Sequence, residues 1–97
     1  MGKKIFVIKQ ARITNEKKNT LESVGFFFEK KEALKRIEKN ALDLSDDGYY
    51  NYCCLMSFEE GLYSIFNEEL WYKWDKEVEK YIKCDKPKQF DNIAFFI

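Results

Sequence analysis

Hydrophobic and polar positions along the chain divide it into short elements of two different periods. From Lys3 to Gln10, Ile5 and Val7 point to one side and Phe6 and Ile8 to the other. Both faces are apolar, which predicts a central strand covered on both sides. The polar stretch Asn15 to Thr20 reads as a hairpin loop. Leu21 to Phe28 is a second strand, and Gly25 inside it marks a bulge or a close backbone approach. The period then changes. Ala33, Leu34, Ile37, Ala41 and Leu44 recur at helical steps between charged residues, so Glu29 to Leu44 predicts an amphipathic helix of about four turns. Asp46-Asp47-Gly48 closes that segment as a loop.

Strand patterning returns for the rest of the chain. Tyr49 to Ser57 is apolar on both faces, and Glu59-Glu60-Gly61 reads as a turn. Leu70 to Asp75 alternates, with Leu70, Tyr72 and Trp74 on one side and Trp71, Lys73 and Asp75 on the other. Asp75 to Glu79 is a charged hairpin tip, Glu79 to Cys84 pairs back, Lys86-Pro87-Lys88 breaks the strand, and Asn92 to Ile97 is a last apolar strand. The expected fold is therefore α+β in the order ββαβββ(β). It has an antiparallel, curved sheet of about five to six strands and one amphipathic helix.

Composition narrows the picture. A chain of 97 residues is a single domain, 1–97, and its 45% hydrophobic and 18% aromatic content is enough to build a core. With 17 basic and 17 acidic residues the net charge is zero, which gives no strong nucleic-acid signal and no pull towards an anionic membrane. No apolar run approaches the ~18 residues of a membrane span, and no leader-type apolar region follows Lys3 and Lys4. A soluble cytoplasmic chain is expected. Histidine is absent, which removes Ser–His–Asp and Cys–His catalysis and most zinc enzymes. Cys53, Cys54 and Cys84 are odd in number and two are adjacent, so they read as small buried hydrophobes in a reducing compartment, with no disulfide framework.

Candidate chemistry is sparse. No phosphate-binding glycine loop, nucleophile elbow or metal-ligand cluster occurs, so no catalytic residue, metal or cofactor is assigned and the chain is expected not to be an enzyme. Asp46-Asp47, Glu59-Glu60 and Glu68-Glu69 read as solvated turns, because adjacent acids diverge. Thirteen of the 17 aromatics lie at or after Tyr49. That is where Tyr63, Trp71, Tyr72, Trp74 and Tyr81 are interleaved with Lys73, Lys76, Lys80 and Lys83. Such rings can fill a core, form a subunit interface or line a pocket in which a base stacks and lysines meet phosphates. Alternation sends the two tryptophans to opposite faces. One helix covers only one face of a sheet, so a homo-oligomer is expected to cover the other.

The segments G-F-F-F-E-K-K-E-A at Gly25 to Ala33, D-G-Y-Y-N-Y at Asp47 to Tyr52, E-G-L-Y at Glu60 to Tyr63, W-Y-K-W-D at Trp71 to Asp75, and K-P followed by N-I-A-F-F at Asn92 to Phe96 carry a resemblance. Together they resemble a group of small uncharacterised proteins of bacteria and their phages, across nearly the whole chain. The motifs describe a fold and bring no catalytic residue with them. Small phage proteins of this kind resemble anti-defence factors acting in the host bacterial cytoplasm. The resemblance implies a non-enzymatic binding protein that sequesters a nucleotide-derived immune signal, and the aromatic and basic pattern of the chain offers Arg12, Tyr63, Trp71, Tyr72, Lys73 and Trp74 as its pocket. Its alternative is a protein-binding inhibitor of a host defence protein, or an assembly module, acting through an aromatic surface or a strand edge.

Overall fold

The computed structural model describes residues 4–14, 19–41, 43–59 and 65–90. Its elements are β1 (Lys4–Arg12), β2 (Thr20–Phe27), helix α1 (Lys30–Glu38), β3 (Tyr52–Glu59), β4 (Ile65–Asp75), β5 (Lys80–Cys84) and a single 3-10 turn, Lys88–Phe90. The strands form one five-stranded sheet in the spatial order β2-β1-β3-β4-β5, which differs from their order along the chain, and every neighbouring pair is antiparallel. An α+β fold with one helix is thus present. The sixth strand expected at Asn92 to Ile97 lies outside the described residues. Among the described residues no helix is long and apolar enough to cross a membrane.

The strands with two apolar faces occupy the middle of the sheet, as their patterning requires. Val7 and Ala11 of β1, Cys54, Met56 and Phe58 of β3, and Trp71 of β4 form one buried cluster with Phe90. Ile8, Cys53, Leu55, Tyr72 and Tyr81 form the second on the opposite face, beneath Ala33 and Ile37 of α1. Gly25 marks a bulge as expected: Ile8 pairs with Gly25 and Lys9 with Ser23, leaving Val24 as the extra residue.

Three expectations need correction. First, the helix ends at Glu38, well short of Leu44. Asn40 takes the left-handed conformation (φ 46°), its N–H bonds the Ile37 carbonyl, and the Ala41 N–H bonds the Arg36 carbonyl. This is a Schellman stop with Asn at the left-handed position. Helical spacing persists to Leu44 only because the following turns return that side chain to the α1 face cluster. Second, residues 49–51 precede β3 as a bend, where the Tyr50 N–H bonds the Ser45 carbonyl. Third, Glu68 and Glu69 belong to β4 and not to a turn. Each acid meets a cation on its own face: Glu68 pairs with Lys30 at 2.7 Å and Glu69 with Lys86 at 3.3 Å.

Candidate functional site

Alternation along β4 distributes the expected site over both faces of the sheet. Trp71 is only 2% exposed and stacks on Phe90, with ring centroids 5.3 Å apart and planes at 17°. Its indole N–H donates to Glu69 Oε1. Trp71 therefore packs in the core of the face opposite α1, covered from within the same chain. Tyr72 is buried on the α1 face, and burial raises its phenol above the ordinary range. Lys73 is exposed. Arg12 lies over the Tyr49 ring at 4.0 Å and donates to the Tyr49 carbonyl at 2.6 Å, so its guanidinium is engaged in holding the bend before β3. Tyr63 lies outside the described residues.

Trp74 alone among the expected aromatic residues that are described keeps part of its surface open. It meets Tyr81 edge-on, with centroids 5.2 Å apart. Gly48, at φ 85°, lets the indole edge approach: a Cβ there would sit 3.1 Å from Trp74 Cδ1 and Nε1. Lys39, Asn40, Asp43, Asp47, Lys76 and Glu79 complete a hollow of about 340 Å³ around the ring. The Asp43 carboxylate organises its wall, accepting from Asn40 Nδ2, Ser45 Oγ and the Asp47 N–H. These bonds, the Asp47 N–H foremost, hold Asp43 below the ordinary aspartate range. A second hollow, of about 400 Å³ on the β4–β5 hairpin, gathers Lys73, Lys76 and Lys83 beside Trp74 and Ile82. Of the five expected pocket residues that are described, Lys73 and Trp74 line one hollow together, and it is this one.

A third hollow, of about 440 Å³, lies elsewhere, between β1, β2 and the turns after α1. Ile8, Val24, Gly25, Phe27 and Leu44 give it apolar walls, and Arg36 lies on its lining. Val24 of that lining is 43% exposed, and further along the same strand edge Phe26 and Phe28 are 58% and 69% exposed, their rings meeting edge-on at 5.7 Å. Reading the sequence missed this surface. The Phe26-Phe27-Phe28 run looked like ordinary strand, and its position at a sheet edge depends on strand order, which pairing alone reveals. Lys9 was also missed. It is buried on the Trp71 face and donates to Ser23 Oγ at 2.7 Å, and burial lowers its pKa.

Burial pushes the thiols of Cys53 and Cys54 far up, away from thiolate reactivity. Among the described residues no group of three or more cysteines and carboxylates is placed to hold a metal ion. Comparison with protein-family models, with curated proteins and with solved structures found no match for this chain.

Proposed function

We propose that the chain is a non-catalytic, cytoplasmic binding module that acts by protein contact along β2, as an assembly unit or as an inhibitor of a partner such as a host defence protein. The observation that carries this reading is the outer position of β2 among the described strands, with Val24, Phe26 and Phe28 exposed along it and a largely apolar hollow of about 440 Å³ beside it. A sheet edge offers unpaired backbone donors and acceptors, and neighbouring pockets select side chains of an added segment. The test is site-specific photo-crosslinking in cells from position 26, with position 78 as control. Val78 is a comparably exposed apolar residue, 53% accessible, at the β4–β5 turn. Protein adducts concentrated at position 26 support the reading; adducts absent there, or equal at both positions, refute it.

Trp74 supports a second reading, in which a nucleotide-derived immune signal stacks on its open face and its phosphates meet Lys39 and Lys76. Asp43, Asp47 and Glu79 in the same hollow oppose a heavily charged ligand. Calorimetry with cyclic and ADP-ribose-type nucleotides, on the wild type and Trp74→Ala, separates the two readings. Binding lost in the variant supports the ligand site, and no binding to any member of the panel removes it.

A further inference from the structure

We propose that the β2 edge takes a second copy of this chain, paired antiparallel about a two-fold axis near Phe26. The inference rests on the reading that β2 is the contact surface, and names its occupant. The two edges of the sheet are built differently. β5 carries exposed Lys80 and Lys83, and Pro87 follows it, which are devices that discourage edge pairing. β2, with the sequence TLESVGFF, holds no lysine, arginine or proline. Its bulge at Val24 keeps the pairing short, centred on Gly25 to Phe27.

The exposed residues of this edge are complementary to themselves. An axis near Phe26 sets Phe26 against its own copy on the face opposite α1, because Phe26 pairs with Val7 of that face's core. The exposed ring at the centre of the edge then meets an identical ring, as an isologous interface requires, with Phe28 packed beside it at 5.7 Å. Charge follows the same axis. Glu22 lies on the α1 face, opposite Gln10 in the register, and accepts from Gln10 and Tyr50 through Oε1. Its Oε2 has no partner among the described residues. The axis brings this acid towards the first turn of the other copy's helix, where Lys31 is exposed and has no ion-pair partner among the described residues. The pair forms twice, once at each end of the interface. A net charge of zero adds no long-range repulsion between copies. The short ladder places the dimer at the small end of specific interfaces, below about 1,200 Å² in total, so it dissociates on dilution.

Sedimentation velocity of the full chain over a wide concentration range tests this. The wild type is expected to pass from monomer to dimer. Phe26→Asp is expected to raise the dissociation constant tenfold or more, roughly the effect of losing a central apolar anchor, with an unchanged circular dichroism spectrum. Val78→Asp is expected to leave the equilibrium unchanged. Glu22→Lys and Lys31→Glu should each weaken the dimer, and the double swap should recover it. A wild type that stays monomeric throughout overturns self-pairing while leaving β2 to another protein. A dimer indifferent to Phe26→Asp overturns β2 as the contact surface altogether. A double swap that fails to recover overturns the antiparallel arrangement.

Discussion

Replacing Trp71 separates a core role from a ligand role for one of the two tryptophans that the sequence offers to the site. The ring is 2% exposed, stacks on Phe90 at 5.3 Å and donates its N–H to Glu69. Truncating a buried tryptophan to alanine costs about 3–5 kcal/mol, which already contains the lost packing on Phe90. Small domains hold only about 5–15 kcal/mol in all, so Trp71→Ala should be folded marginally or not at all. Trp71→Phe keeps an aromatic face for Phe90 and loses the N–H donor. Glu69 still has Lys86 at 3.3 Å, so no buried acid is orphaned and the cost falls to about 1–2 kcal/mol. Trp74→Ala removes a ring that is partly open and should cost roughly 1–2 kcal/mol, in proportion to the area it buries. Urea unfolding followed by far-ultraviolet circular dichroism gives all three values under a two-state treatment. A Trp71→Ala protein within about 1 kcal/mol of the wild type would refute the assignment of Trp71 to the core. The cycle Trp71→Ala with Phe90→Ala should return a coupling of about 0.5–1.5 kcal/mol; no coupling would mean that the stack does not form in solution.

Asn40→Ala should destabilise more than Asn40→Gly by about 1 kcal/mol, because φ 46° strains any side chain with a Cβ while both variants lose the same bonds to Ser45 and Asp43. Thermal melts of the pair decide it, and equal melting temperatures would contradict the helix stop. Gly48→Ala should cost about 1–3 kcal/mol and shift Trp74 fluorescence, since its Cβ would meet the indole at 3.1 Å from a positive φ. Cys53 and Cys54 should resist a thiol reagent in the native protein, with half-buried Cys84 reacting first and all three reacting quickly in urea; rapid native labelling of Cys53 or Cys54 would be inconsistent with their burial. Asp43 and Glu22 both titrate below their ordinary range through hydrogen bonds to the ionised form. Each therefore adds stability that is present above the unfolded carboxylate pKa and lost as pH falls through the folded value. Unfolding midpoints measured from neutral to acid pH should fall less steeply for Asp43→Asn than for the wild type.

The alternation of apolar residues made the middle of the sheet legible. β1 and β3 have two apolar faces because each lies between two strands with a packed layer on either side, and burial on both faces leaves a direct mark on residue type. The β4–β5 hairpin was legible for a local reason. Asp75 Oδ1 accepts from the Glu77 N–H at 2.9 Å, the self-bonding that makes aspartate a turn residue. Where reading failed, the deciding contact came from a distant part of the chain. Glu68 and Glu69 look like a solvated turn until Lys30 and Lys86 are seen opposite them. Helical spacing continues past Asn40 because a turn can place Leu44 where another turn of helix would have put it.

The same distinction explains why the candidate site moved. Sequence density picked out the aromatic segment around Trp71, but density does not distinguish a ring that is covered from one that is free. Phe90, nineteen residues downstream, covers Trp71, and the bend at residues 49–51 engages Arg12. The most exposed rings among the described residues, Phe26 and Phe28, belong to a short run in the less aromatic half of the chain. They stay open because β2 is at the edge, and only the pairing order β2-β1-β3-β4-β5 puts it there. Loss of an exposed edge ring should leave folding nearly intact and change association, whereas loss of Trp71 should do the reverse. Phe26→Ala and Trp71→Phe, compared by melting temperature and by sedimentation, make that contrast measurable. Phe26→Ala should melt within a few degrees of the wild type and dissociate more readily, and Trp71→Phe should melt lower with association unchanged at temperatures where it is folded. If Phe26→Ala instead lost stability as Trp71→Phe does, the ring would belong to the core and β2 would not be a free edge.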